Sequence, residues 1–117
     1  MEYKRNISEP WFSLIAVGLK KYEGRLNDSN FQKMKKGDTI IYDNNSMGFL
    51  RTIKCKIINI KKYKSFKEFL EKRKLKKCLP GIDTIERGIE VYKKVYKAED
   101  ENRFGVLGIK LKIIGTG

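Results

Sequence analysis

Apolar and polar positions along this chain follow two periods, and each change of period marks a new element. Trp11, Leu14 and Ile15 recur at the spacing of one helix face. Ser8 is placed to cap that helix, Pro10 suits its first turn, and Gly18 suits a left-handed stop. Residues 1–9 form a short strand or lead-in. Lys20 to Leu26 reads as a strand, closed by the loop chemistry of Asn27-Asp28-Ser29-Asn30. Lys35-Lys36-Gly37-Asp38 turns into the short buried strand Thr39-Ile40-Ile41-Tyr42, and Asn44-Asn45-Ser46 forms a hairpin tip. Residues 50–60 alternate through Ile53, Cys55 and Ile57, then change phase to Ile58 and Ile60, which predicts a bulge or a strand buried on both faces.

Two helices come next, each opened by a capping signal. Ser65 and Glu68 have the S-x-x-E spacing, and Asp83 and Glu86 repeat it as D-x-x-E. The first helix buries Phe66, Phe69 and Leu70; the second presents Ile85, Ile89, Tyr92 and Tyr96 on one side. Tyr92, Tyr96 and Trp11 are read as core residues. The last strand runs from Phe104 to Ile114, with Leu107, Ile109, Leu111 and Ile113 facing a core and Gly108, Lys110 and Lys112 facing solvent. This order predicts an α+β fold: a small β-barrel with about three flanking helices in a single domain over residues 1–117.

Composition narrows the chemistry. The chain has no histidine and two cysteines, Cys55 and Cys78, so histidine catalysis and four-cysteine zinc binding are excluded within one chain. No metal and no cofactor are expected. No apolar run approaches the ~18 residues of a membrane span, and the first residues lack the apolar stretch of a secretion signal. A cytoplasmic location, reduced thiols and a monomer are the corresponding expectations.

The formal net charge is +13. An AT-rich genome writes a similar lysine- and isoleucine-rich composition into almost any protein, so the distribution matters more than the total. Residues 51–77 carry 12 basic and 2 acidic side chains, +10, whereas the other 90 residues carry 15 and 12, +3. Concentration on one segment points to a polyanion surface. On the strand its members are Lys54, Lys56, Lys61 and Lys62. In the helical region beyond they are Lys64, Lys67, Arg73, Lys74, Lys76 and Lys77.

Several segments resemble the ASCH domain, a branch of the PUA-like β-barrels. Gly18-x-Lys20-x-x-Glu23-x-Arg25-Leu26 is similar to the family's G-x-K-T-x-E-x-R-L, and Gly37-Asp38-x-Ile40-x-Tyr42 to its G-D-x-I-x-F. Ser65-Phe66-Lys67-Glu68, Leu79-Pro80-Gly81, Tyr92-x-x-x-Tyr96 and Phe104-Gly105-Val106-Leu107-Gly108-Ile109 follow in order, so the likeness spans roughly residues 10–114. The resemblance implies a PUA-like barrel, a cleft lined by the G-x-K-x-x-E-x-R segment, and RNA, a nucleotide or a nucleoside as partner. Lys20, Glu23 and Arg25 are then the ligand-binding residues, holding a phosphate or a base edge.

The alternative reading is a small hydrolase of a modified nucleoside. One ASCH branch cleaves the acetyl amide of N4-acetylcytidine with a lysine, a threonine three residues later and a glutamate; other members are reported to be nucleases. Were this chain an enzyme, Lys20 and Glu23 would be its catalytic groups. Glu23 stands where that branch has its threonine, which removes the hydroxyl from the mechanism. Alternation puts Lys21, Glu23 and Arg25 on one strand face and leaves Lys20 at the helix-to-strand corner, where a cleft receives it. Alanine at Lys20 or Arg25 is expected to change stability by no more than ~0.5–1 kcal/mol, as at surface positions.

Overall fold

The structure, a computed structural model, describes residues 1–29 and 31–115. Asn30, at the end of the predicted loop, lies outside the described residues. Strand β1 (Glu2–Asn6) leads to helix α1 (Trp11–Ala16), then to β2 (Tyr22–Leu26), β3 (Thr39–Asn44) and β4 (Arg51–Tyr63). Helices α2 (Phe66–Arg73), α3 (Leu75–Cys78), α4 (Ile85–Lys93) and α5 (Ala98–Phe104) precede the last strand, β5 (Val106–Gly115). The five strands form one sheet in the order β1-β3-β4-β5-β2. β1 runs parallel to β3 and every other pair is antiparallel. The sheet curls into a half-barrel, an α+β fold as expected, whose open edges are β1 and β2.

Two apolar clusters lie on the two sides of this sheet. The first joins Ile40, Tyr42, Ile53, Cys55 and Ile109 and is closed by Phe12 and Ile15 of α1. Phe12, not Leu14, is the fully buried partner of Ile15 on that helix. The second cluster packs Phe69 and Leu70 of α2 against Tyr63, Val106 and Leu26, with Leu79 and Tyr92 beside them. β5 therefore has both faces covered from Val106 to Ile109, and only Lys110 and Lys112 onward keep the expected alternation with solvent. Gly108 and Gly24 sit opposite one another on β5 and β2 under the Phe69 ring.

Several local expectations shift by a residue or two. The phase change in β4 is a bulge: the register with β5 jumps between Ile57 and Asn59. Ser65 caps α2 by accepting from the Glu68 amide at 3.1 Å, but the Glu68 carboxylate accepts from the Lys64 amide, one residue before the cap. Thr84 rather than Asp83 caps α4, accepting from the Arg87 amide at 3.2 Å, while Asp83 pairs with the Arg87 side chain. Ser8 gives no side-chain cap to α1; Glu9 accepts from the Ser13 amide instead. Phe104 ends a helix rather than opening the last strand. The sequence signal for that helix is the run Glu99, Asp100, Glu101, whose negative charge suits a helix N-terminus.

Lys74 joins α2 to α3 at φ 73° and ψ 122°, the one non-glycine residue with positive φ among those described. A side chain there crowds the backbone at a cost of about 1–2 kcal/mol. Lys74→Gly is expected to raise the urea midpoint by the equivalent of about 1 kcal/mol; a lower midpoint would show that the Lys74 side chain contributes more than its strain costs. The two cysteines lie in different clusters, free and buried, and burial pushes both thiols up to about 12, so they stay protonated. Among the described residues no helix is long and apolar enough to cross a membrane.

Candidate functional site

The half-barrel fails to close between its edge strands, and the gap is a pocket of about 270 Å³. One wall is the end of β1 and the chain beyond it, Asn6 to Ser8, with Trp11 behind. The opposite wall is β2 at Glu23, Gly24 and Arg25. Leu79, Val91, Tyr92, Val95 and Tyr96 form the helical side.

Local chain geometry brings Lys20 to the floor. Gly18 takes φ +82° after α1, and the amides of Leu19 and Lys20 both donate to the Leu14 carbonyl at 3.0 Å. The Lys21 amide then bonds the Lys77 carbonyl at 2.8 Å, tying the start of β2 to α3. Lys20 is left 2 % exposed. Its ammonium donates to the carbonyls of Tyr22, at 2.8 Å, and Cys78, and pairs with Glu23 Oε1 at 3.5 Å. The Trp11 ring lies 5.6 Å away. Burial pushes the Lys20 pKa below the usual lysine value, and the Glu23 carboxylate opposes that shift. The surface-like stability cost expected for Lys20→Ala is thus corrected: the helix-to-strand corner is buried beneath α3 and the Leu79 turn, and alanine there would leave two carbonyls without a donor and Glu23 with Arg25 alone as a cation among the described residues.

Glu23 is 5 % exposed and lies between two cations. Its Oε2 faces Arg25 Nη2 at 3.4 Å, and the Gly24 amide reaches Oε1 at 3.2 Å. Arg25 also donates from Nη1 to the Tyr96 hydroxyl at 3.0 Å and lies over Phe31 at 5.6 Å. The carboxylate beside it pushes the Arg25 pKa up, so the guanidinium is permanently charged. Arg25 Nε and the Tyr92 hydroxyl are buried without a hydrogen-bond partner. Burial, reinforced by Glu23, pushes the Tyr92 pKa well up, so this hydroxyl keeps its proton. Phe66 stacks on Tyr92 at 4.0 Å and on Tyr96 at 5.3 Å, fixing both rings as walls.

The structure therefore brings Lys20, Glu23 and Arg25 together in one pocket. Trp11, Tyr92 and Tyr96, assigned to the core by helical spacing, pack on the second cluster as expected and also line the pocket. The ten basic candidates are dispersed. Lys61 and Lys62 are neighbours on β4 and point to opposite faces. Lys54 pairs with Glu2 at 3.5 Å. Arg73 is half-buried, donates to the Tyr63 hydroxyl and lies 5.6 Å from the centre of the Tyr22 ring, so packing claims it. Lys64, Lys67, Lys74, Lys76 and Lys77 are exposed along α2 and α3. Strand pairing adds Lys112 directly opposite Lys56, with Lys110 next along β5, a grouping that sequence distance conceals. Among the described residues no group of three histidine, cysteine, aspartate or glutamate side chains could hold a metal.

The sequence profile of the ASCH domain matches residues 6–115. The chain belongs to the ASCH domain family. Its fold is similar to the crystal structure of hypothetical protein PH0355, with a TM-score of 0.88 and 38 % identity over 97 % of this chain and 100 % of that one. It is also similar to the solution structure of protein PF0455 from Pyrococcus furiosus, with a TM-score of 0.80 and 36 % identity over 97 % and 98 % of the two chains. No curated protein matches. In this ASCH domain the G-x-K-x-x-E-x-R segment contributes the pocket floor, because Gly18 turns the chain so that Lys20 points inward behind Glu23.

Proposed function

We propose that this ASCH domain binds single-stranded RNA or a nucleotide-containing ligand, with one base in the seam pocket and the backbone on exposed lysines of the sheet and helices. The observation that carries this reading is the pocket itself: aromatic walls held by stacking and a buried carboxylate–guanidinium floor, in a chain of net charge +13. Aromatic faces supply stacking that every base can use, and carboxylate beside guanidinium offers an acceptor and a donor to a base edge. The lysines on β4, β5, α2 and α3 add attraction that is independent of sequence.

If about four phosphates are neutralised, log affinity falls against log salt with a slope near −3, roughly fiftyfold between 50 and 200 mM. Fluorescence anisotropy of a labelled RNA oligomer over that range measures it. Binding that ignores salt, or no binding at the lowest salt, would rule the reading out. Hydrolysis has less support in the geometry. All three Lys20 ammonium hydrogens already face oxygen acceptors, and the pocket floor has Glu23 where the hydrolytic branch has a hydroxyl.

A further inference from the structure

The pocket floor carries two positive charges and one negative, and the simplest reading of such a floor is an anion site. Its hydrogen bonding argues otherwise. An ammonium has three hydrogens and no lone pair. Those of Lys20 face the Tyr22 carbonyl, the Cys78 carbonyl and the Glu23 carboxylate, so none is left for a ligand. Arg25 gives one bond from Nη1 to the Tyr96 hydroxyl and one from Nη2 to Glu23, while its Nε is buried without a partner. A phosphate reaching Arg25 here would lie against the Glu23 carboxylate, whose Oε2 is 3.4 Å from Nη2, and would meet its repulsion.

Glu23 has the opposite character. It is buried, yet its contacts to Lys20, Arg25 and the Gly24 amide are 3.5, 3.4 and 3.2 Å, all longer than the ~2.7–2.9 Å of a strong charge-assisted bond. Its lone pairs are under-used. The Tyr92 hydroxyl is 6 % exposed as a residue, unpartnered, and 3.0 Å from where a Cβ on Gly24 would stand, which places it against the same strand. Gly24 adds an edge of its own. Leu111 donates to the Lys21 carbonyl and Asn27 to the Gly105 carbonyl, so odd-numbered residues of β2 bond β5 and Gly24 turns its amide and carbonyl to the open side. The Glu23 carboxylate and the Tyr92 hydroxyl thus line one pocket with the Gly24 carbonyl between them, the Gly24 amide being taken by Glu23.

We infer that the pocket reads the uncharged hydrogen-bonding edge of a nucleobase through Glu23 and the Tyr92 hydroxyl, and that Lys20 is a positioning residue that holds Glu23 without touching the ligand. This rests on the nucleic-acid reading above and assigns the base, not the phosphate, to the pocket. A base N–H approaching Glu23 would fill its spare lone pairs, and a ring nitrogen or carbonyl beside it would accept from Tyr92.

Calorimetric titration of the full chain tests this with uridine, cytidine, adenosine and guanosine. Their 5′-monophosphates, ribose 5-phosphate, inorganic phosphate and the edge-blocked neutral forms 3-methyluridine, N4,N4-dimethylcytidine and N6,N6-dimethyladenosine complete the panel. The expected result is that the best of the first three nucleosides binds within about threefold of its monophosphate and loses tenfold or more when edge-blocked. Ribose 5-phosphate and phosphate should not compete. Tyr92→Phe keeps the ring stack and should unfold no earlier than the wild type while weakening the nucleoside at least fivefold. Competition by phosphate, indifference to edge methylation, or unchanged binding by Tyr92→Phe would overturn the inference. So would RNA binding with no nucleoside binding, which leaves the broader reading intact; binding of neither removes both.

Discussion

Glu23→Ala will cost about 3–5 kcal/mol of folding stability, because it strands a buried ammonium. Lys20 is 2 % exposed, and Glu23 is its one anionic partner among the described residues. Without Glu23, Lys20 and Arg25 would leave two cations in one poorly hydrated pocket, with only carbonyl and hydroxyl dipoles to offset them. Against a total stability of about 5–15 kcal/mol for a domain, that loss is a large fraction. Equilibrium urea unfolding of wild type, Glu23→Ala and the double variant Lys20→Met with Glu23→Ala measures it. The double variant should recover part of the loss, since the uncompensated charge has gone with its partner. A loss below about 1 kcal/mol in the single variant would mean that water reaches the Lys20 ammonium and that the floor is not a dry ion cluster.

Gly108→Ala should be the most damaging single methyl added to the sheet, at about 1–3 kcal/mol. A Cβ on Gly108 would lie 2.7 Å from two atoms of the Phe69 ring and 2.8 Å from Tyr63. Phe69 cannot withdraw easily, because Gly24 on β2 receives the far side of the same ring at 2.7 Å. The helix α2 is therefore seated on a two-glycine hollow, and lifting it would also move Phe66, which holds Tyr92 and Tyr96 in the pocket wall. Thermal and urea unfolding of Gly108→Ala, alone and with Phe69→Leu, tests the arrangement. The smaller side chain should recover stability relative to the sum of the two single losses. Additive losses would show that the ring and the glycine do not press on each other.

Much of the architecture was legible because it follows from local physics. Alternation placed β3 and β4, the phase change at Ile58 marked the bulge, and Gly18 marked the end of α1. Phe66, Phe69 and Leu70 form the buried face of α2, as their spacing predicts. The α4 cap moved from Asp83 to Thr84 because two adjacent residues have competent oxygens, and spacing alone does not choose between them. Helix α5 was missed because it has no apolar stripe: none of its residues is buried, and its acidic first turn was the available clue.

For the site, residue identity along the chain named Lys20, Glu23 and Arg25, and alternation put Glu23 and Arg25 on one side of their strand. It could not say that Lys20 is covered rather than exposed. That depends on the Cys78 carbonyl, 58 residues away, arriving on α3 to accept its hydrogen bond. Nor could it tell a core tyrosine from a pocket tyrosine, since helical spacing fits both; the place of Tyr92 and Tyr96 beside the open seam makes the distinction. The basic segment from 51 to 77 was evident from charge alone, yet the pleat of β4 and the packing of Arg73 disperse it, and pairing with β5 brings in Lys110 and Lys112 from outside. Periodicity and propensity act over a few residues, so the chain order encodes its strands, helices and the inward-facing segment. Which polar groups lose their water, and which charges meet, depends on how the curled sheet leaves its two edges apart, and that is a property of the folded whole.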